Sequence, residues 1–267
     1  MKKTAGVFSF YGLAFSQVAI ATIIVGYMEL VFSHVGFLPT GSWQFYVLHL
    51  LFLLPSLLLI TPAGYFSDKY PKERVLKWTA LLSLPALALF GLGVYIANLP
   101  LIFVGIALFF ILQAFQSPAK NGYMKELVGV KDLVKASGVL MIVFFAALVL
   151  SGGTIAILYE SMYPEAKDFA AQIGTLPLVG LVLFALELFG VFCCLRLPSV
   201  GVYDASLKFP WNRYFNLLFT RRKFTKIWVN RALRQSIIGL SMFWVMIFLM
   251  VFVIQDLFGS GSLFNQD

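Results

Sequence analysis

Side chains that could do chemistry are few in this chain, because the chain is strongly apolar. Hydrophobic residues make up 60% of its 267 positions, and charged residues make up only 12%. Two acids, Glu29 and Glu187, fall inside long apolar runs, and Gln17 lies in the first of these runs. An ionisable group inside a membrane-spanning helix is costly to keep, so it is a candidate functional group. We therefore expect Glu187 and Glu29 to be ion- or proton-coupling residues.

A second candidate is the charged hairpin of residues 64–74, which separates two apolar runs. Gly64 would let neighbouring helices approach closely, and Asp68 is a carboxylate that can bond a helix N-terminus or an arginine. Lys69 and Arg74 could lock that contact. These four residues are our predicted gating residues. The alternative interpretation is a solvated turn whose lysines only set membrane topology.

A third candidate stretch follows the fourth apolar run and contains Ser117, Lys120 and Glu126. Pro118 is expected to end the helix, which would place the Lys120 ammonium at the depth of lipid headgroups, where it could meet a phosphate. Glu126 could pair with Lys120 or Lys125 when no lipid is bound. On physical grounds alone, a helix stop followed by a basic topogenic loop is the favoured interpretation.

The elements that must position these residues are membrane-spanning helices. A spanning helix needs about 20 apolar residues, and a soluble core could not hide apolar runs that recur along the whole chain. We predict an all-α membrane protein. Seven segments qualify: Phe8–Phe32, Trp43–Phe66, Lys77–Ala97, Leu99–Gln116, Val134–Tyr159, Ile173–Leu195 and Ile237–Leu257.

The basic residues set the predicted orientation. Of the 20 lysines and arginines, 19 lie before the first segment or in every second gap after it. The exception is Lys167, whose gap also holds three acids. Cytoplasmic loops carry the excess of basic residues, so we predict a cytoplasmic amino terminus. The net charge of +8 is explained by topology and does not indicate nucleic acid as a partner.

The order of these elements resembles the major facilitator superfamily, whose members join two six-helix halves by a basic link. Residues 64–74 also resemble its signature G-x-x-x-D-(R/K)-x-G-(R/K)-x-(R/K), with Pro71 in place of the second glycine. The resemblance implies a six-helix half at 1–195, a basic cytoplasmic linker at 196–234, and the truncated first helix of a second half at 235–267. Together these would make part of a twelve-helix fold.

Residues 117–138 resemble a narrower group, the bacterial lysophospholipid transporters, some of which are fused to an acyltransferase and an acyl-carrier-protein synthetase. The chain reads S-P-A-K-N-G-Y-M-K-E-L and then L-V-K-A-S-G, where the group has S-P-A-K-(Y/x)-G-x-x-x-E-L and L-V-K-A-N-G. The resemblance implies alternating-access transport of lysophospholipid across the bacterial inner membrane for re-acylation. Its substrate-binding residues would be Lys120, Ser117, Glu126 and Gln17.

The chain departs from this pattern at two places. An Asp-Asn pair of the first helix is replaced by Ile24 and Val25, and an arginine of the seventh helix is replaced near Val251. Two alternatives therefore stay open. One is a proton-coupled transporter of another amphiphile or drug, and the other is a non-transporting membrane component that needs a second chain.

Enzymatic function is not predicted. The sequence has no nucleophile elbow, no phosphate-binding loop and no metal-ligand spacing, and its two cysteines are adjacent in an apolar run. We therefore predict neither a catalytic residue nor a cofactor nor a metal. The expected partners are membrane lipids, the lysophospholipid substrate and an acyltransferase or acyl-carrier-protein synthetase.

Overall fold

Most of the residues that the structure describes are helical. The computed structural model describes residues 2–34, 43–162, 177–200 and 204–209, together with 228–231, 234–235, 237–239, 241–242, 245–246 and 249. None of these residues lies in a β-strand. The chain divides into two compact units, Met1–Phe209 and Pro210–Asp267.

Six helices make up the first unit. They are α1 (Lys2–His34), α2 (Trp43–Lys69), α3 (Lys72–Tyr95), α4 (Leu99–Val128), α5 (Leu133–Met162) and α6 (Pro177–Leu195). Each corresponds to one of the first six predicted segments. In the described part of the chain, five helices are long and apolar enough to cross a membrane, which confirms an all-α membrane protein. Those spans are Thr4–Met28, Lys72–Tyr95, Leu99–Val128, Leu133–Ile155 and Leu178–Leu195.

The helices of this unit pack around α1, α3 and α4. Helix α3 packs against α4 and α6, α1 packs against α5 and α6, and α2 packs against α4. Tyr27 of α1 meets Phe90 of α3 edge-on, with ring centroids 5.5 Å apart, and both side chains are fully buried. Ile24, one of the two positions at which the sequence departs from the resembled pattern, lies in the same buried cluster.

The predicted end of the fourth helix is wrong. Pro118 lies inside α4, which continues to Val128 and stops at Gly129, whose φ of 79° is left-handed. A proline removes one backbone N–H donor, a loss that neighbouring helices compensate inside a membrane protein. Beyond Pro118 the buried residues Ala119, Tyr123 and Leu127 continue to pack against the core, and this burial holds the helix together.

The charged hairpin is shorter than predicted. Helix α2 continues through Gly64 to Lys69, so only Tyr70 and Pro71 lie between α2 and α3. Pro71 precedes the first turn of α3, and its carbonyl accepts hydrogen bonds from the N–H groups of Arg74 (2.9 Å) and Val75 (3.1 Å). The φ of −53° at Pro71 is within the range that the proline ring imposes, so this residue enters the helix without strain.

The second unit is described at only part of its length. Its described residues between 228 and 249 are mostly helical, and the Arg234 N–H donates to the Asn230 carbonyl at 2.9 Å. The predicted seventh helix, Ile237–Leu257, begins here, but its end lies outside the described residues. The predicted boundaries at residues 196 and 235 stay predictions.

The close contact between α3 and α6 gives a stability prediction. A Cβ atom added to Gly180 of α6 would lie 2.8 Å from the Cα of Gly91 on α3, so G180A must push two backbones apart. We expect a loss of about 1–3 kcal/mol, seen as a lower unfolding temperature of the detergent-solubilised protein.

Gly152 of α5 provides the matched control for this substitution. A Cβ atom there meets nothing within 4 Å, so G152A should leave the unfolding temperature unchanged or raise it. Equal unfolding temperatures for G180A and the unchanged protein would contradict the close contact between α3 and α6.

Candidate functional site

The centre of the first unit holds a lysine that is bonded to a buried glutamine. Lys120 of α4 donates through its Nζ to the Oε1 of Gln17 on α1 at 2.7 Å. Gln17 lies on the buried face of α1 with Leu13 and Ile20, and the continuation of α4 beyond Pro118 brings Lys120 against that face. The structure therefore brings together two of the four predicted substrate-binding residues.

A buried carboxylate balances the charge of this lysine. Glu187 of α6 is 0% exposed, and the Ser83 hydroxyl of α3 donates to its Oε1. Glu187 and Lys120 attract each other electrostatically, although these two described residues form no direct ion pair. Opposite charges in a low-dielectric interior stabilise one another, so this attraction offsets part of the cost of burying both groups.

Three buried polar atoms of this region have no hydrogen-bond partner. They are Nε2 of Gln17, Oε2 of Glu187 and Oε1 of Gln116. Gln116 lies one helical turn before Lys120 on α4, which places both on the same side of that helix. We call Gln17, Ser83, Gln116, Lys120 and Glu187 the central polar cluster. Its unsatisfied atoms can bind a polar ligand that supplies both donors and acceptors.

Glu126 belongs to a different group, so its predicted pairing with Lys120 or Lys125 is wrong. Its Oε1 accepts from the Nζ of Lys72 on α3 at 2.5 Å, and both side chains are largely buried. The cause is again the extended α4, which carries Glu126 past Lys120 towards the start of α3. The pair ties the ends of α3 and α4 together.

Two further bonds attach the segment after α6 to these helix ends. The Ser199 hydroxyl donates to Oε1 of Glu73 on α3 at 2.5 Å, and the Tyr123 hydroxyl of α4 donates to the Pro198 carbonyl at 2.7 Å. The chain therefore does not leave α6 freely. Its first residues are fixed across the ends of α3 and α4.

The same segment reaches the end of α2. The Tyr65 hydroxyl donates to the Leu207 carbonyl at 3.1 Å, and the Tyr65 ring meets Phe209 edge-on at 5.1 Å. Next to these contacts, the hydroxyl and N–H of Ser206 donate to Asp204 and lower the pKa of its carboxyl. We call residues 197–200 and 204–209 the link segment.

The predicted gating residues surround this contact without forming the expected latch. Asp68 is exposed, and its backbone carbonyl accepts from the Asp204 N–H at 3.1 Å. The Lys69 ammonium donates to the Tyr65 hydroxyl at 2.8 Å, and Arg74 is exposed. A Cβ atom on Gly64 would meet nothing within 4 Å, so no described helix approaches closely there.

Two predicted site residues lie apart from the central polar cluster. Ser117 is exposed on α4, although it neighbours Gln116 in sequence. Glu29 lies in α1, but its side chain falls outside the described residues. Sequence reasoning missed Gln116 and Ser83. The spacing of Gln116 from Lys120 would have revealed it had α4 been extended past Pro118, whereas a single serine in an apolar helix gives no signal.

Metal binding has no visible basis in the described residues, which contain no group of three or more histidine, cysteine, aspartate or glutamate side chains that could hold an ion. The polar groups of the cluster are instead one ammonium, one carboxylate, two amides and one hydroxyl. Such groups bind charged organic molecules by hydrogen bonding.

The fold and the central polar cluster define a class of protein. This is a multi-pass, helical membrane protein that keeps ionisable side chains inside its helix bundle. Ionisable residues within a bundle mark binding sites and pathways in membrane proteins.

Comparison with curated proteins confirms the resemblance predicted from the sequence. The chain is 29% identical over 204 residues to the lysophospholipid transporter LplT of Photorhabdus laumondii, a match that covers 76% of this chain and 46% of that protein. The proteins of the same name from Shigella flexneri and Escherichia fergusonii are each 28% identical, over 210 and 207 residues. These relatives are named as transporters and not as enzymes.

The matches have a clear limit in length. The chain spans about half the length of the curated relatives it matches, since each match covers 46% of the relative. No family model matches the chain, and no solved structure matches it. The similarity therefore covers 76% of this chain and less than half of each of these relatives.

The Lys72–Glu126 pair gives a second prediction. E126A leaves the largely buried ammonium of Lys72 without this carboxylate, so we expect the protein to lose about 2 kcal/mol of stability. The exchange of both residues, K72E with E126K, should recover part of that loss because it restores opposite charges. The measurement is the unfolding temperature in detergent.

Lys125, the exposed neighbour of Glu126 on α4, supplies the control. K125A should change the unfolding temperature little, because surface charges contribute little to stability. A double exchange no more stable than E126A would argue against a specific contact between the two residues.

Proposed function

We propose that this protein transports lysophospholipid across the bacterial inner membrane by alternating access, with its amino terminus in the cytoplasm. The observation that carries the proposal is the bond between Lys120 and Gln17 at the centre of the bundle. Support also comes from the 28–29% identity to proteins named lysophospholipid transporter LplT.

In this proposal the headgroup phosphate binds Lys120. The ammonium already lies inside the bundle, held by the Gln17 amide, and the Glu187 carboxylate on α6 attracts it electrostatically. A phosphate that arrives can take hydrogen bonds from the Lys120 ammonium and from the Gln17 Nε2, which has no protein partner. Ser117 and Glu126 lie outside this cluster. In this proposal they would contact the lipid only as it moves towards or away from the cluster.

The proposed gate lies at the end of α2. Asp68, Lys69 and Arg74 would change partners as a second six-helix half, outside the described residues, moves against the first. The link segment already touches this site through the bond between Asp204 and the Asp68 carbonyl. An acyltransferase or acyl-carrier-protein synthetase acting on the delivered lipid is part of the proposal, as is a link at residues 196–234.

The main test is uptake of labelled lysophosphatidylethanolamine by spheroplasts that express the protein. K120A removes the proposed phosphate ligand, and we expect uptake to fall by about 10-fold or more, since a charge-assisted hydrogen bond is lost. K120R keeps the charge and should retain part of the activity.

K125A is the matched control, because Lys125 is an exposed lysine on the same helix. It should transport as well as the unchanged protein at equal expression. Unimpaired uptake by K120A would remove Lys120 from the proposed site, and absence of uptake by the unchanged protein would refute lysophospholipid transport.

A second candidate function is proton-coupled transport of another amphiphile. The observation that favours it is the complete burial of Glu187, whose surroundings include Ser83 of α3 and Lys120 of α4. A carboxyl in such a place can carry a proton between the two sides of the membrane. Glu29 of α1 stays a predicted ion-coupling residue on the same hypothesis.

The proton role is tested by E187Q, which keeps the shape of the side chain but cannot release a proton. We expect the substitution to abolish any dependence of uptake on external pH, since a single titrating group would have been removed. Uptake measured at matched expression over a series of pH values decides the question. The same pH profile in E187Q and in the unchanged protein would rule out proton coupling through Glu187.

A further inference from the structure

Helices α3 and α6 form an antiparallel pair. Ser83 of α3 bonds to Glu187 of α6, whereas Gly91, further along α3, lies against Gly180, which comes before Glu187 on α6. The contacts therefore run in opposite directions along the two helices. This register places the first turns of α3 beside the last turn of α6.

Two basic and two aromatic side chains lie at this level, one of each kind from either side of the pair. On the α6 side, the Arg196 guanidinium lies over the Phe192 ring, with its central carbon 4.1 Å from the ring centroid. On the α3 side, the Lys77 Nζ donates to the carbonyl of Leu197, the residue after Arg196, at 3.5 Å. Trp78 follows Lys77 directly. We call Lys77, Trp78, Phe192 and Arg196 the interface patch.

The aromatic side chains of the interface patch are open to the surroundings of the first unit. Trp78 is 61% exposed and Phe192 is 51% exposed. The exposed surface continues along both helices with large apolar side chains only, which suits contact with lipid tails. These side chains are Leu81 and Leu82 of α3 and Leu188 and Phe189 of α6.

The two basic side chains of the interface patch carry positive charge that no carboxylate pairs within the described residues. Neither Lys77 nor Arg196 forms an ion pair with a described side chain. Glu73, one turn before Lys77 on α3, is buried and accepts a hydrogen bond from the Ser199 hydroxyl. The interface patch therefore attracts an anion from outside the protein.

The arrangement of Arg196 suits a phosphate in particular. Stacking on Phe192 uses the flat face of the guanidinium and leaves its N–H edges available, and those edges match phosphate oxygens in pairs. Tryptophan is the residue type that favours the level of lipid headgroups, and Trp78 occupies this level beside the two cations. A phosphate at the patch thus continues naturally into acyl chains on the apolar surface of α3 and α6.

We propose that the interface patch binds an anionic phospholipid of the surrounding bilayer, with its phosphate at Arg196 and Lys77 and its acyl chains along α3 and α6. A zwitterionic lipid fits less well, because its own cationic group is repelled by the two basic side chains. The patch lies on the outside of the helix pair, so its occupant is a bilayer lipid and not the transported molecule. The inference is therefore independent of the proposed function.

The test uses Trp78 as the reporter, because bromine on a lipid acyl chain quenches tryptophan fluorescence only at short range. W43F, W211F, W228F and W244F leave Trp78 as the single tryptophan of the chain. This protein is reconstituted in mixtures of phosphatidylglycerol and phosphatidylcholine, with each lipid brominated in turn. We expect phosphatidylglycerol to be preferred at Trp78 by about 10-fold, since each basic residue near the membrane surface adds to the attraction.

Three changes separate the interface patch from a general effect of charge. K77Q with R196Q should remove the preference, while R196K should keep part of it because lysine retains the charge but not the paired N–H edges. High salt should weaken the preference by screening the charges. The matched control is K131Q with K135Q, which removes two exposed lysines near the start of α5 and should leave the preference unchanged.

The outcomes decide the inference in either direction. Equal quenching by the two brominated lipids in the single-tryptophan protein overturns it, as does an unchanged preference in the folded double variant. Absence of quenching by both lipids would show that another part of the protein covers Trp78, which overturns it as well. If K77Q with R196Q fails to fold by circular dichroism, R196Q alone decides: a lowered preference supports the inference and an unchanged one overturns it.

Discussion

Neutralisation of one buried ammonium is the constraint on which the first unit depends. Lys120 lies among helices that face lipid, where an unbalanced charge would be prohibitively costly. Gln17 bonds it from α1, Glu187 balances it from α6, and Ser83 holds Glu187 from α3. The need to offset the charge of one lysine thus fixes the relative positions of four helices, α1, α3, α4 and α6. The same arrangement leaves polar atoms free to bind a ligand, so the structural and functional demands are met by one group of residues.

Close helix packing makes this arrangement possible. Glycines face backbone at the crossings of α3, where a Cβ on Gly105 of α4 would lie 2.6 Å from the Phe90 N, and one on Gly180 of α6 would lie 2.8 Å from the Gly91 Cα. Small residues at such crossings let backbones approach, which is how helices associate where lipid is as apolar as the side chains. Since α3 lies close to both α4 and α6, Ser83 can reach a carboxylate on one neighbour while the other presents Lys120.

The helices themselves could be predicted from the sequence, because the length and apolarity of a segment decide whether it spans a membrane. The grouping of Gln17, Lys120 and Glu187 in one cluster could not be predicted from the sequence, although each residue was recognised separately as a candidate. Their proximity depends on how α1, α4 and α6 are rotated about their axes, and nearly uniform apolar segments do not encode that rotation locally. The predicted helix end at Pro118 was wrong for a related reason. Proline breaks helices in water, but α4 continues past Pro118 because Tyr123 and Leu127 beyond it are buried. The pairing of Glu126 with Lys72 followed from that same extension.

The link segment extends the packed first unit beyond the end of α6. In sequence the connection starts after Leu195 of α6, but bonds from Ser199, Tyr123 and Tyr65 hold it across the ends of α3, α4 and α2 as far as Phe209. Phe209 therefore lies beside α2, on the far side of the helix ends from Leu195, and the connection is anchored at both ends of its described part. The end of α6 is thus not the end of the packed first unit, which includes the link segment as a strap across three helices.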